Sequence, residues 1–101
     1  MDTKTQAKFT LGQTVATPGA MEALERNHTS GKEYLCRHAI GDWGIVCDED
    51  KHANDAALQS GARIVSAYQL ADETKLWIIT EAAVDDQGTR PSTCLLLPEE
   101  Y

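Results

Sequence analysis

The sequence has little that would place the protein in a membrane or outside the cell. Its longest apolar runs are short, such as that from Leu76 to Ile79, whereas a transmembrane helix needs roughly 18 or more apolar residues. The N-terminus has neither a basic stretch leading into an apolar segment nor a small-residue cleavage site. Three cysteines, an odd and sparse set, do not suit a disulfide scaffold of this length. We therefore expect a cytoplasmic protein with reduced thiols and no membrane contact.

The sequence also lacks the signatures of common enzymes. It has no glycine-rich phosphate loop, no nucleophile elbow and no HExxH zinc motif. Cys36 or Cys47 can be combined on paper with His28, His38 or His52 and a carboxylate, but such combinations occur in most proteins of this size. We predict no catalytic residue and no cofactor. The alternative is a small enzyme, or a component of one, that acts on a nucleotide or nucleic acid.

Four residues of zinc-ligating type occur within 17 residues of one another: Cys36, His38, Cys47 and His52. Structural zinc sites usually pair their ligands at spacings such as C-x2-C. Cys36 and His38 lie two positions apart on a predicted helix, so their side chains point in different directions. We predict no metal site, with buried thiols and half-exposed histidines instead.

Basic residues are scarce in the second half of the chain. Residues 1–41 hold five basic and four acidic residues, a balance of +1, whereas residues 42–101 hold four basic and twelve acidic residues, a balance of −8. The formal net charge is −7. A field of this sign repels nucleic acids and membrane surfaces and attracts basic protein surfaces. We therefore expect no direct binding of nucleic acid.

The sequence pattern predicts three helices followed by three strands, after one N-terminal strand. We expect strands over 8–17, 63–70, 75–82 and 92–97, the third of them central, and helices over 18–27, 30–40 and 48–60. Ser30 and Glu33 match a capping box, and Gly41 and Gly61 match left-handed helix ends. Small alanines, Ala53, Ala56 and Ala57, form the expected apolar face of the third helix.

The order β-α-α-α-β-β-β predicts an α+β fold with helices packed on one face of an antiparallel sheet. At 101 residues the chain is expected to be a single domain over 1–101, with a flexible N-terminus over 1–7. Trp43 lies between Asp42 and Gly44 in a connector, where a large ring either fills the core or anchors a partner. We favour the core for Trp43.

Four phrases of the sequence stand out: Gly41-Asp42-Trp43-Gly44, Ser66-Ala67-Tyr68, Leu76 to Glu81 (LWIITE) and Leu95 to Tyr101 (LLLPEEY). They resemble a family of small bacterial proteins found on plasmids, integrative elements and phages, and the likeness covers roughly 9–101. The sequence departs from the family pattern in the longer loop that follows Glu81. The resemblance implies a mobile-element protein. By analogy of size and charge, it also suggests an inhibitor of host defence, of the anti-CRISPR or anti-restriction type.

We therefore expect a non-enzymatic protein that presents carboxylates to a basic surface which normally binds DNA, in a host nucleic-acid-binding defence complex. The acids expected to do so lie at a helix start and in loop tips, where a partner can reach them: Asp48, Glu49, Asp50, Asp72, Glu73, Asp85 and Asp86. The simpler explanation, that these acids only cap helices and keep the protein soluble, stays open. A third possibility is an interaction protein that maintains the mobile element.

Overall fold

The computed structural model describes residues 7–101. In this part of the chain the elements are β1 (Gln13–Ala16), α1 (Pro18–Arg26), α2 (Gly31–Ala39), α3 (Asp48–Ser60), β2 (Ile64–Gln69), β3 (Lys75–Thr80), β4 (Ser92–Leu96) and a short 3-10 turn (Pro98–Glu100). The predicted α+β class and element order are confirmed. The flexible N-terminus predicted over 1–7 lies, apart from Ala7, outside the described residues.

The four strands form one sheet in the order β1-β4-β3-β2. β3 pairs antiparallel with both β2 and β4, so its predicted place inside the sheet is confirmed. β1 instead runs parallel to β4, with Gln13 beside Ser92 and Ala16 beside Leu95. The sheet is therefore mixed and not wholly antiparallel. A tight hairpin forces β2 and β3 to be antiparallel, but no short connection fixes the direction of β1.

One face of the sheet carries the main core. Side chains at alternate positions of β2, β3 and β4 point to this face and are buried, among them Tyr68, Leu76, Ile78 and Leu95. α1 and α2 cover them with Ala20, Ala23, Leu24 and Tyr34. The helical pattern of α1 and α2 thus buries their apolar stripes on the sheet, as predicted for a two-layer α+β domain.

β1 is shorter than predicted because Gly12 bends the chain before it. Gly12 has a φ of +65°, and a Cβ at this position would lie 2.2 Å from the carbonyl oxygen of Arg90. Only glycine tolerates both the left-handed backbone and the close approach. The predicted strand over 8–17 is therefore reduced to Gln13–Ala16, and Phe9 packs beside Trp43 in the core instead of in a strand.

The helices begin and end close to the predicted residues, but one predicted capping interaction is not formed. The Thr17 hydroxyl caps α1 by accepting the Ala20 N–H, and α3 ends at the left-handed Gly61 as predicted. Ser30 caps α2 through the N–H of Lys32. The predicted capping box with Glu33 is not formed, because the Glu33 N–H donates to the Ser30 main-chain carbonyl.

α3 lies along the outer edge of β2, where Asn54 replaces a neighbouring strand. The Asn54 carboxamide donates to the Val65 carbonyl at 2.7 Å and accepts the Val65 N–H at 3.1 Å. The apolar face predicted for α3 is wrong in part, because Ala53 and Ala56 are exposed while Asn54 and Ala57 are buried. The helix meets β2 edge-on, so only a narrow strip of its surface is covered.

The segment 43–45 completes the cover of the β2 edge. Ala67 donates its N–H to the Trp43 carbonyl and accepts the Ile45 N–H. Gly44 lies so close to β2 that a Cβ would be 1.9 Å from the Ala67 oxygen. With Asn54 on Val65, the outward main-chain groups of Val65 and Ala67 are all bonded, which closes most of this strand edge to another chain.

Within residues 7–101, no helix has the length and apolar character that crossing a membrane would require.

Candidate partner-binding surface

The seven acids predicted to bind a partner lie in three separate clusters. These are the first turn of α3, which we call the acidic turn (Asp48, Glu49 and Asp50), the hairpin turn between β2 and β3 (Asp72 and Glu73), and the loop between β3 and β4 (Asp85 and Asp86). All seven residues are exposed. The clusters differ in what their carboxylates already bind.

The acidic turn is the cluster with the least engaged charge. Asp48, Glu49 and Asp50 are consecutive residues at the N-terminus of α3, where unpaired N–H groups and the helix dipole stabilise negative charge. Among the described residues, none of the three takes part in an ion pair. Their charge is therefore available to a partner.

The hairpin turn is neutralised in part by α1. Asp72 accepts a hydrogen bond from Arg26 at 2.9 Å and the Thr74 N–H at 3.0 Å. These contacts with Thr74 and Arg26 hold the pKa of Asp72 well below its usual range. Glu73 sits beside Asp72 in a left-handed conformation, with a φ of 74°. This cluster therefore braces the turn against α1 as well as presenting charge.

The loop cluster also uses a carboxylate internally. Asp85 accepts the N–H groups of Thr89 and Gln87, each at 3.0 Å, and these bonds lower its pKa. Asp86 has no such internal role among the described residues. Asp85 is thus first a turn-forming residue.

The loop cluster is far from both of the other clusters. β3 has six residues and separates the hairpin turn from the loop, a distance of about 20 Å at the usual rise per strand residue. Gly61, at the C-terminal end of α3, accepts the Ala83 N–H, so the loop also lies about 18 Å, one helix length, from the acidic turn. The predicted acids do not form one continuous patch.

A cleft adjoins the acidic turn on the second face of the sheet. Its volume is about 320 Å³. Val65 and Ile79 line it on the sheet, and the residues that give it chemical character are Asp50, Arg63, Trp77 and Tyr101. We call it the Trp77 cleft. Asp50 belongs to both the cleft and the acidic turn, so the two features form one surface.

The C-terminal turn positions the aromatic wall of this cleft. The Glu100 carboxylate accepts hydrogen bonds from the Thr17 hydroxyl, the Gly19 N–H and the Leu97 N–H, which lower its pKa. Tyr101 then packs against Trp77 with ring centroids 5.7 Å apart. Glu100 therefore serves to fix the backbone that carries Tyr101.

The sequence predicted no binding role for Trp77, Arg63 or Tyr101, so the Trp77 cleft was not expected. The structure leaves Trp77 half-buried and Tyr101 68% exposed. The alternation of side chains along β3 could have indicated the cleft, because residues 77 and 79 point to the face opposite α1 and α2.

Trp43 fills the core. It is 5% exposed and donates its indole N–H to Asp55 at 3.0 Å. Its ring packs near His38 and Phe9, with centroid distances of 5.9 and 6.2 Å. The favoured interpretation of Trp43 is confirmed.

A buried chain of hydrogen-bonded polar side chains is centred on His38 and was not predicted from the sequence. Thr93 donates its hydroxyl to the Leu11 carbonyl at 2.7 Å, so Thr93 must accept the hydroxyl proton of Thr80. Thr80 must then accept from His38 Nε2 at 2.8 Å. The direction of the chain therefore assigns the proton of the neutral imidazole to Nε2, and Nδ1 accepts from Ser66.

Burial holds His38 in its neutral form. The ring is fully buried, and this desolvation, with a smaller contribution from the Arg90 charge, lowers its pKa from 6.5 to about 4. Protonation would place a proton on Nδ1, so the Ser66 hydroxyl could no longer donate to it and would have to turn its own proton away. The network is a structural element of the core.

We predict a loss of stability in mild acid that depends on His38. Between pH 6.5 and 4 the unfolded chain holds the His38 proton and the folded chain does not. The free energy of unfolding should therefore fall by about 1.4 kcal/mol per pH unit as the pH decreases, about 3 kcal/mol in all. Urea titrations at several pH values measure the slope. His38→Gln should reduce the slope by this amount, and an equal slope in both proteins would contradict the assignment.

Two thiols and one histidine are arranged in the opposite way from the prediction. Cys36 and Cys47 are exposed and Cys94 is half-buried, whereas His38 is fully buried. The expectation of buried thiols and half-exposed histidines is therefore wrong for Cys36, Cys47 and His38. α2 turns His38 toward the sheet, and Cys36, two positions earlier, faces away. Among residues 7–101, no group of three or more ligand-type side chains is positioned to hold a metal ion.

No family model, no curated protein and no solved structure matches the chain.

Proposed function

We propose that the protein is a non-enzymatic, cytoplasmic binding protein of a mobile genetic element. In this proposal its acidic surface occupies a basic, nucleic-acid-binding surface of a host defence complex, in the manner of an anti-CRISPR or anti-restriction protein. The observation that supports this proposal is that the acidic turn, which forms no ion pair among the described residues, adjoins the Trp77 cleft through Asp50. The sequence resemblance supports the link to mobile elements.

The chemistry of this surface fits a basic protein partner. Three consecutive carboxylates attract Lys and Arg side chains. The rings of Trp77 and Tyr101 offer the aromatic contacts that dominate many interfaces, and Arg63 lies 5.8 Å from the Tyr101 ring. Charge would guide the encounter and the aromatic wall would slow dissociation.

The other clusters have a smaller part in this proposal. Asp72 and Glu73 form a second contact only with a partner that also reaches the hairpin turn. Asp85 and Asp86, about 18 Å from the acidic turn along α3, reach the same partner only across an extended interface. The acidic turn is therefore the primary contact.

Reversal of the acidic turn should weaken binding more than reversal of other acids. Asp48→Lys, Glu49→Lys and Asp50→Lys together should slow association with the partner about tenfold or more and flatten its salt dependence. The matched control reverses Glu22, Glu25 and Glu33, which gives the same net charge elsewhere on the molecule. It should change the association rate by less than about twofold.

Capture of host proteins from a bacterial lysate at low and high salt supplies the partner for this measurement. Tyr101→Ala should leave the association rate intact and raise the dissociation rate, because Tyr101 is an exposed aromatic and not a charge. Equal loss in both triple variants, or capture that does not weaken with salt, would contradict the proposal. Circular dichroism establishes that each variant is folded.

A further inference from the structure

The Trp77 cleft combines an aromatic pair with a carboxylate. It is on the sheet face opposite α1 and α2, whereas the described chain begins beside α2, where the Lys8 N–H donates to the Ala39 carbonyl. Trp77 is half-buried and packs against Tyr101 with the two ring planes at 64° to each other, so the rings form a corner. Asp50 lines the same cleft from the first turn of α3. A cation that enters the cleft therefore meets aromatic surface and a carboxylate together.

The Asp50 carboxylate is not neutralised within the described part of the chain. It takes part in no ion pair among residues 7–101. Arg63 lines the same cleft, yet its guanidinium lies 5.8 Å from the centre of the Tyr101 ring and is not paired with Asp50. The aromatic pair thus already holds one guanidinium of this chain, and the carboxylate is left for a cation from another molecule.

Arginine is the side chain that suits both groups of the cleft. A guanidinium is planar, stacks on aromatic rings and donates two parallel N–H bonds to a carboxylate. Tryptophan is the aromatic residue that attracts a cation most strongly. The ammonium of lysine is compact and strongly hydrated, and it cannot stack in this way. Asp48 and Glu49, which precede Asp50, add negative charge that favours a cation over a neutral group.

We propose that the Trp77 cleft binds an arginine side chain, with its guanidinium stacked on Trp77 and bonded to Asp50. That this arginine belongs to the basic partner rests on the proposed function. The arginine is then a specific anchor at the centre of the interface, where such side chains contribute most to affinity. The rest of the acidic turn supplies attraction at longer range.

Titration of the full, isotopically labelled chain with N-acetyl-arginine N-methylamide, followed by nuclear magnetic resonance, tests the proposal. The chain has two tryptophans, and their indole N–H signals report separately on the cleft and on the core. The Trp77 signal should move, whereas that of Trp43, which is buried and bonded to Asp55, should not. One stacked and bonded guanidinium should give a Kd of about 1 to 10 mM.

Two matched probes separate charge from shape without any change to the protein. The citrulline analogue has the same planar shape but no charge, and it should bind at least about tenfold more weakly, because it loses the charge-assisted bonds to Asp50. The lysine analogue keeps the charge but not the planar fork, and it should bind at least about threefold more weakly. Equal binding of either analogue and the arginine probe would overturn the proposal.

Asp50→Asn and Asp48→Asn are a matched pair of variants, because both remove one charge from the acidic turn but only Asp50 lines the cleft. Asp50→Asn should weaken binding of the arginine probe at least about fivefold. Asp48→Asn should weaken it less than about twofold. The remaining signals of each spectrum show that the variant is folded. Equal loss in both variants, or a Trp77 signal that does not move up to about 50 mM probe, would contradict the proposal.

This titration and the capture of a partner can fail separately. An arginine probe that moves the Trp77 signal while no salt-sensitive partner is captured would contradict the proposed function and support the arginine site. Capture of a salt-sensitive partner by a chain whose Trp77 signal does not respond to the probe would support the proposed function and overturn the arginine site.

Discussion

Replacement of Asn54 by alanine should lower the free energy of unfolding by about 4 kcal/mol, since two partly buried main-chain groups lose their partners at about 1 to 3 kcal/mol each. The N–H and C=O of Val65 point away from β3, and the Asn54 side chain bonds both of them. Asn54 is 4% exposed, so water does not readily replace it. Its carboxamide takes the place of the main-chain groups that a neighbouring strand would supply.

Urea or thermal unfolding measures this effect. For a domain of this size, a loss of about 4 kcal/mol lowers the midpoint of thermal unfolding by about 15 °C or more. Gln59→Ala is the control, because Gln59 is an exposed amide on the same helix. It should cost less than about 0.5 kcal/mol. A loss for Asn54→Ala no larger than the control would show that the edge bonds are dispensable.

Replacement of Arg90 by methionine should lower the free energy of unfolding by a similar amount, about 4 kcal/mol. Arg90 is 4% exposed, and burial lowers the pKa of its guanidinium. It donates to the carbonyls of Ala57, Ala62 and Glu81 at 2.7 to 3.1 Å. The positive charge lies at the C-terminus of α3, where the helix dipole favours it.

The geometry of Arg90 also predicts that lysine will not replace it. One guanidinium reaches three carbonyls that belong to α3, to the segment before β2 and to the end of β3. Lysine presents a single ammonium and cannot reproduce this fork. Arg90→Lys should therefore recover less than half of the stability lost in Arg90→Met. Full recovery, measured by the same unfolding experiment, would show that charge alone is required.

Local features of the fold could be predicted because their signals lie close together in the sequence. Thr17 before Pro18 and Gly61 after the third helix are short-range signals, and both helix ends are found where expected. The direction of β1 could not be predicted, because its partner Cys94 lies 79 positions from Val15 in the sequence. Non-local pairings of this kind leave no local pattern.

The buried polar residues of the core could have been recognised from their positions in the sequence pattern. Asn54 precedes Ala57 and Leu58 by three and four positions, so it shares their side of α3. Ser66, Thr80 and Thr93 likewise fall at inward positions of strands. A polar residue at a buried position of a pattern needs a partner. That requirement would have indicated the edge bond of Asn54 and the chain through His38.

Only the charge of the candidate binding surface could be predicted from the sequence. Asp48, Glu49 and Asp50 are recognisable as a helix start from the sequence, but the engagement of Asp72 by Arg26 joins residues 46 positions apart. The meeting of Asp50 with Trp77 and Tyr101 depends equally on the tertiary fold. The sequence therefore predicted the acidic clusters, and the structure shows which of these acids take part in no ion pair among the described residues.

Competition for the partner tests the central claim most directly. With the captured host protein and a fluorescent duplex that it binds, added protein should displace the duplex, as followed by fluorescence anisotropy. Displacement should saturate at stoichiometric protein, and the Asp48, Glu49 and Asp50 reversal should require about tenfold more protein or fail, because like charges then face the basic surface. A stable complex that contains the protein, its partner and the duplex together would contradict the claim that the acidic turn occupies the nucleic-acid-binding surface.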